Sequence, residues 1–153
     1  MDSLKIPPNI IIRDLDRSDL YSTSDFIAIL NELSETQQPS SSECDKLYNQ
    51  YLNNDDHHII IAELDNEIVG TASIFIEHKF LHGGSRVGHI EDVVVTSKRR
   101  TVGVGKIMVK RLIKIAEDAN CYKVILDCKE NNIPFYVKCG FMPSQYCMRI
   151  DID

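Results

Sequence analysis

The sequence element with the clearest chemical meaning is a turn that runs from five basic or polar residues into glycines. Val93-Val94-Val95 is followed by Thr96-Ser97-Lys98-Arg99-Arg100, and then by Gly103-Val104-Gly105-Lys106. The start of a helix offers unpaired N–H groups and a partial positive charge, which together suit an anion. Glycines let a ligand approach the backbone closely. The phosphate loop of nucleoside triphosphatases is excluded, because Arg100 stands where its first glycine belongs and Ile107 where its Ser or Thr belongs. The dinucleotide fingerprint is excluded by Met108 at its third glycine. A second feature is the carboxylate pair Glu91-Asp92, which interrupts a run otherwise rich in Ile and Val. Adjacent strand residues point to opposite faces, so both carboxylates can line one site only if a bulge intervenes. His78 and His82 have the i, i+4 spacing of a metal pair, but their setting is not helical, and no metal is expected.

These groups must be carried by regular elements. Asn9–Asp14 reads as a first strand after Pro7-Pro8, and residues 18–33 as a helix capped by Ser18 or Asp19, with Leu20, Ile27, Leu30 and Leu33 on one face. Ser40 and Glu43 fit a capping box for a helix reaching about Leu52. His58–Leu64 and Glu67–His78 read as strands joined by a tight Asp65-Asn66 turn. After a turn at His82–Ser85, Gly88–Val95 is the strand that leads into the glycines. Val104, Met108, Leu112, Ile115, Ala116 and Ala119 share helical spacing, and Asn120 ends that helix. Lys123–Asp127 is a strand, and residues 131–138 are a short helix with Pro134 in its first turn and Gly140 at its C-terminal cap. Tyr146–Ile152 reads as a last strand. The class is α+β in a single domain spanning residues 1–153.

A net charge of −6 argues against general nucleic-acid binding, and any anionic ligand would need a local cluster of positive charge. No apolar run approaches the ~20 residues of a membrane helix. The N-terminus lacks a secretory pattern, so a cytoplasmic protein is expected. Five cysteines without Cys-x-x-Cys spacing read as free thiols, most of them small core residues.

Arg100-x-x-Gly103-x-Gly105 resembles the acetyl-CoA signature of the GNAT superfamily, with Thr101 where another glycine is common. Three further segments resemble glucosamine 6-phosphate N-acetyltransferases: Gly88–Val95, Cys121–Cys128 and Phe135–Phe141. The resemblance covers residue 74 to the C-terminus. It implies a mixed, mostly antiparallel sheet flanked by helices, with central strands that splay where the cosubstrate enters. It implies acetyl-CoA held by Val93, Val94, Val95, Arg100, Thr101, Val102, Gly103, Val104, Gly105, Lys106, Tyr136 and Lys138. Tyr136 would protonate the departing thiolate. A backbone N–H near Val93 or Val94 would polarise the thioester carbonyl, and Glu91 or Asp92, through a carboxylate or a backbone carbonyl, would orient the amine.

On the acceptor side the resemblance implies contacts from Ser34, Lys79, His82, Tyr122, Lys123 and Asp127. The family's arginine near the C-terminus falls at Asp151, and Arg149, two residues earlier and on the same face of a strand, could supply its charge. The resemblance also implies an intertwined homodimer with sites completed across the interface. The expected reaction is acetylation of the 2-amino group of glucosamine 6-phosphate, which feeds UDP-N-acetylglucosamine synthesis. Two alternatives are a GNAT enzyme acting on a protein or peptide amine, which would not need the Lys79, His82 and Lys123 cluster, and a non-catalytic acyl-CoA-binding module, which would tolerate loss of Tyr136 and Glu91.

Overall fold

The computed structural model describes residues 8–21, 25–35 and 37–152. Strands β1 (Ile10–Asp14), β2 (His57–Leu64), β3 (Glu67–His78), β4 (Arg86–Val95) and β5 (Cys121–Ile125) form one sheet in chain order. The first three pairings are antiparallel and β4–β5 is parallel. The parallel pair requires a crossover, and α3 (Val104–Asp118) supplies it. The remaining helices are α1 (Asp25–Asn31), α2 (Ser41–Leu52) and α4 (Ile133–Lys138). No helix among the described residues is long and apolar enough to cross a membrane.

Two cores sandwich the sheet. On one face Val104, Met108, Val109, Leu112 and Ala116 of α3 pack against Ile60, Ala62, Ala72, Ile74, Ile76 and Ile90. On the other, Leu15, Leu20, Phe26, Cys44 and Tyr48 cover Ile61. The α3 stripe thus matches its sequence periodicity. The Asp65-Asn66 turn has both residues at positive φ, 54° and 64°, as a two-residue hairpin with the sheet's twist demands. Ser40 and Glu43 form the reciprocal capping box.

Five expectations need correction. Residues 18–33 do not form one helix. A 3-10 helix spans Arg17–Leu20, residues 22–24 lie outside the described residues, and α1 starts at Asp25. The cap is Asp16, whose carboxylate accepts from the Ser18 N–H, because Asp19 is committed to Arg13 by two hydrogen bonds of 2.7 and 2.8 Å. Leu33 is exposed rather than on the buried face. Of the five cysteines only Cys44 is buried; Cys121 and Cys139 are half-buried, and Cys128 and Cys147 are exposed. Finally, the segment Tyr146–Ile152 is not a strand: it is extended and exposed, with no sheet partner among the described residues. Its alternating pattern fits a strand, but no described edge receives it. Cys147, on this segment, is exposed with it.

Candidate active site

The site is built by an irregularity in β4. Thr71 of β3 pairs with Val94, and Ser73 pairs with Glu91, so one residue of β3 faces two of β4. Asp92 takes φ 52°, a left-handed conformation that Asp tolerates better than most residues. This is a β-bulge, which bends its strand and re-aims side chains. Before it, Ile90 faces the α3 core; after it, Val93 and Val95 do. Without the extra residue the alternation would put Asp92 and Val94 on that face. The bulge therefore lets both Glu91 and Asp92 stay exposed, meeting the condition that the sequence set for the pair.

The same strand separates from its neighbour. β4 and β5 pair from Arg86↔Cys121 to His89↔Ile125, while β4 runs on to Val95. The chain then crosses a 3-10 helix, Ser97–Val102, to Gly103, which has φ 78° and is the N-cap of α3. Only glycine adopts that φ without cost. The cap makes no side-chain hydrogen bond and the first turn of α3 holds no acidic residue, so no carboxylate of that turn competes for its N–H groups. An ideal Cβ on Gly105 would stand 3.2 Å from Phe135 and 3.6 Å from Val95. The glycine thus lets α3, α4 and the end of β4 converge. Arg100, Thr101 and Val102 lie on the 3-10 helix with their side chains outside the described residues. Burial raises the thiol of Cys139, at the end of α4, and the charges of Lys106 and Lys110 on α3 lower it in part.

Tyr136 stands on α4, half-buried between Phe135 and Phe141, with ring centroids 4.9 and 6.0 Å away. Burial pushes its phenol up to about 12, with the neighbouring Cys128 and Cys139 adding to the effect. The hydroxyl consequently keeps its proton across the physiological range. Although the Glu91 side chain is exposed overall, partial desolvation of its carboxyl raises it above its ordinary value, and the nearby charges of Asp92 and Asp127 raise it further, against a lowering by His89. Three carboxylates therefore gather at the splay. The Glu91 carbonyl accepts from the Ser73 hydroxyl at 3.3 Å, and the neighbouring Asp127 raises the Cys147 thiol above its ordinary value.

The residues expected to meet a phosphate divide into two groups. The His82 ring lies 4.5 Å from the Tyr122 ring, and Lys123 Nζ sits 5.5 Å from the same ring. Lys79 is directed elsewhere, to Glu77, whose carboxylate also accepts from His89 Nε2 at 2.8 Å. Glu77 and His89 were not singled out from the sequence; the signal was diagonal placement across β3 and β4, visible only once the register is known. Ser34 is exposed just past α1, and its N–H donates to the Leu30 carbonyl. Arg149 lies on the exposed tail and is paired with Asp151, 2.7 Å from Nε.

Residues 26–141 match the model of the acetyltransferase (GNAT) family. The chain is 40% identical over 147 residues to a probable glucosamine 6-phosphate N-acetyltransferase 2 of Oryza sativa subsp. japonica, covering 93% of this chain and 87% of that protein. It is similar to the crystal structure of glucosamine-6-phosphate N-acetyltransferase from Arabidopsis thaliana, with TM-score 0.89, 37% identity, and 94% and 99% of the two chains covered. An acetyltransferase structure from Trypanosoma brucei superposes with TM-score 0.85 at 36% identity, covering 94% of this chain and 99% of that one.

Proposed function

The chain belongs to the GNAT acetyltransferase family, and from that premise we propose that it transfers the acetyl group of acetyl-CoA to the 2-amino group of glucosamine 6-phosphate. The observation that carries the reading is the splay. β4 leaves β5 after His89 and runs on alone to Val95, from which the chain turns into the uncapped start of α3. Members of the family use acetyl-CoA, and an uncapped helix start behind glycines suits its pyrophosphate. Gly103–Lys106 would hold the pyrophosphate, Val93–Val95 would line the extended arm, and Lys106 and Lys138, with Arg100, Thr101, Val102 and Val104, would complete its seat.

Acetyl-CoA supplies an acetyl group activated as a thioester. The protein's own groups do the rest. Glu91, Asp92 and Asp127 attract the substrate ammonium, and the raised Glu91 carboxylate takes the proton that the nitrogen must lose before it can form the new C–N bond. A backbone N–H at Val93 or Val94 faces the carbonyl oxygen as charge develops there. Tyr136 Oη gives its proton to the sulfur as the C–S bond breaks, and recovers one from solvent. The phosphate must lie away from three carboxylates; His82, Tyr122 and Lys123 offer one positive region and Lys79 a second. The test measures release of free coenzyme A thiol with glucosamine 6-phosphate, glucosamine and a lysine-rich peptide. The sugar phosphate should be the best acceptor by far, and a peptide that outruns it would replace this reading with a protein acetyltransferase.

The active form is a homodimer that completes each site with the partner's tail. Tyr146, Met148, Ile150 and Ile152 are 97%, 91%, 82% and 85% exposed, and they alternate with Cys147, Arg149 and Asp151. Such a stripe is a strand seeking a sheet, and β5 offers an edge with no further strand among the described residues. Exchange of this segment between copies would cover both and bring Arg149 to the partner's acceptor site. Sedimentation of the full chain tests it: a monomer at active concentrations removes the cross-subunit contribution.

A further inference from the structure

One acidic residue joins the two halves of this site from a distance. Glu32 follows the last turn of α1, with its N–H bonded to the Ile29 carbonyl. Its carboxylate reaches the turn that leads to Gly103, across more than sixty residues of sequence. Oε1 accepts from the Thr96 hydroxyl at 2.9 Å and Oε2 from the Ser97 N–H at 2.8 Å. Ser97 is the first residue of the 3-10 helix, so its N–H is one of the donors that a helix start leaves unmet. Thr96 holds the N-cap position yet makes no side-chain cap bond of its own. Glu32 supplies that cap instead, and its charge suits the positive end of the helix. Backbone bonds fix the rest of the turn: Thr96 N–H to the Val69 carbonyl at 2.8 Å, and Arg99 N–H to the Thr96 carbonyl at 2.9 Å.

The position of Glu32 gives this cap a second consequence. α1 packs on β3 and β4, and Ser34, two residues beyond Glu32, was assigned to the acceptor. We infer that Glu32 is a positioning residue that couples α1 to the cosubstrate loop, so that ordering of residues 96–106 by acetyl-CoA also orders the acceptor-side end of α1. The inference rests on the reading that acetyl-CoA sits at Gly103–Lys106. Ordering passed through a shared contact is a recognised source of cooperativity between two ligands.

The test is amide hydrogen exchange of the full chain with and without saturating coenzyme A, in the parent and in Glu32→Ala. In the parent, coenzyme A should slow exchange at residues 96–106 and also in α1. In Glu32→Ala it should still slow 96–106 and leave α1 as in the free protein. The KM for acetyl-CoA should rise about tenfold, the loss of one to two charge-assisted bonds, while kcat stays within about twofold. Protection of α1 that persists in the variant overturns the coupling, whatever happens to affinity, as does a parent in which only 96–106 is protected. A parent in which coenzyme A leaves 96–106 unprotected indicts the cosubstrate seat itself, and the coupling falls with it. If Glu32→Ala folds poorly by circular dichroism, Glu32→Met, which keeps the length and offers no oxygen acceptor, is read in the same way.

Discussion

Gly105 of α3 and Phe135 of α4 meet where a side chain on the glycine would stand, with 3.2 Å from the ideal Cβ to the ring. Gly105→Val must push the ring that neighbours Tyr136 and must also crowd the pyrophosphate seat. Overpacking of this kind costs about 1–3 kcal/mol, measurable by urea denaturation. Coenzyme A should raise the melting temperature of the parent strongly, by mass action on the folded state, and that of Gly105→Val hardly at all. Equal stabilisation of both would move the cosubstrate seat elsewhere.

Tyr136→Phe keeps the ring between Phe135 and Phe141 and removes only the hydroxyl. kcat should fall on the order of 10²-fold, as for loss of a positioned acid, with the KM for acetyl-CoA unchanged. Because burial holds the phenol near 12, the parent should show no loss of Tyr136 function as pH passes the ordinary tyrosine value. An unchanged kcat would leave Tyr136 as packing and favour a non-catalytic acyl-CoA-binding module.

Glu91 gives a stability prediction with a definite sign. Its carboxyl is raised by partial desolvation and by Asp92 and Asp127, so the folded protein holds this proton to higher pH than the unfolded chain does. The favourable contribution is fully present below the ordinary carboxylate value and is lost as pH rises through the raised one. Glu91→Gln should therefore be more stable than the parent at neutral pH, with the difference vanishing at about pH 4, near the unfolded value. Chemical denaturation at the two pH values reads it. Activity should move the opposite way, with kcat/KM down on the order of 10²-fold at neutral pH for loss of a general base.

Lys79→Ala should shrink the preference for glucosamine 6-phosphate over glucosamine by about ten- to a hundredfold, the worth of one charge-assisted contact, and should spare acetyl-CoA. Lys79 is paired with Glu77, so the phosphate must share it with that carboxylate or displace it. A preference that stays intact would leave phosphate recognition to His82, Tyr122 and Lys123.

Arg149→Ala should raise the KM for the sugar phosphate more than that for acetyl-CoA. If the tails exchange, Arg149→Ala and Tyr136→Phe subunits mixed after unfolding and refolding should exceed the mean of the two pure variants. Each mixed dimer then holds one site with both defects and one with neither. Activity equal to the mean would keep Arg149 within its own subunit.

Much of this was legible in the residues. The Asp65-Asn66 turn, the Ser40–Glu43 box and the α3 stripe depend on neighbours a few positions away, and local rules read them correctly. The Arg13–Asp19 pair broke the first helix, because a buried charge outweighs helix periodicity. The bulge at Asp92 depends on how β4 registers against β3, which no window of one strand reveals. Glu32 and Glu77 matter through partners on other elements and carry no motif. The last segment has the alternation of a strand, but a strand also needs an edge to join.

The extra residue in β4 sets function against economy of folding. Deleting Asp92 would leave Glu91 opposite Ser73 and Val94 opposite Thr71, with Val93 filling the place between them. That chain would have a regular ladder, no left-handed aspartate, and one residue fewer to order. It should be at least as robust to heat as the parent, and inert as a catalyst. Selection on stability alone would drift toward that shorter strand, so the irregularity marks where activity has been kept at the expense of a better sheet.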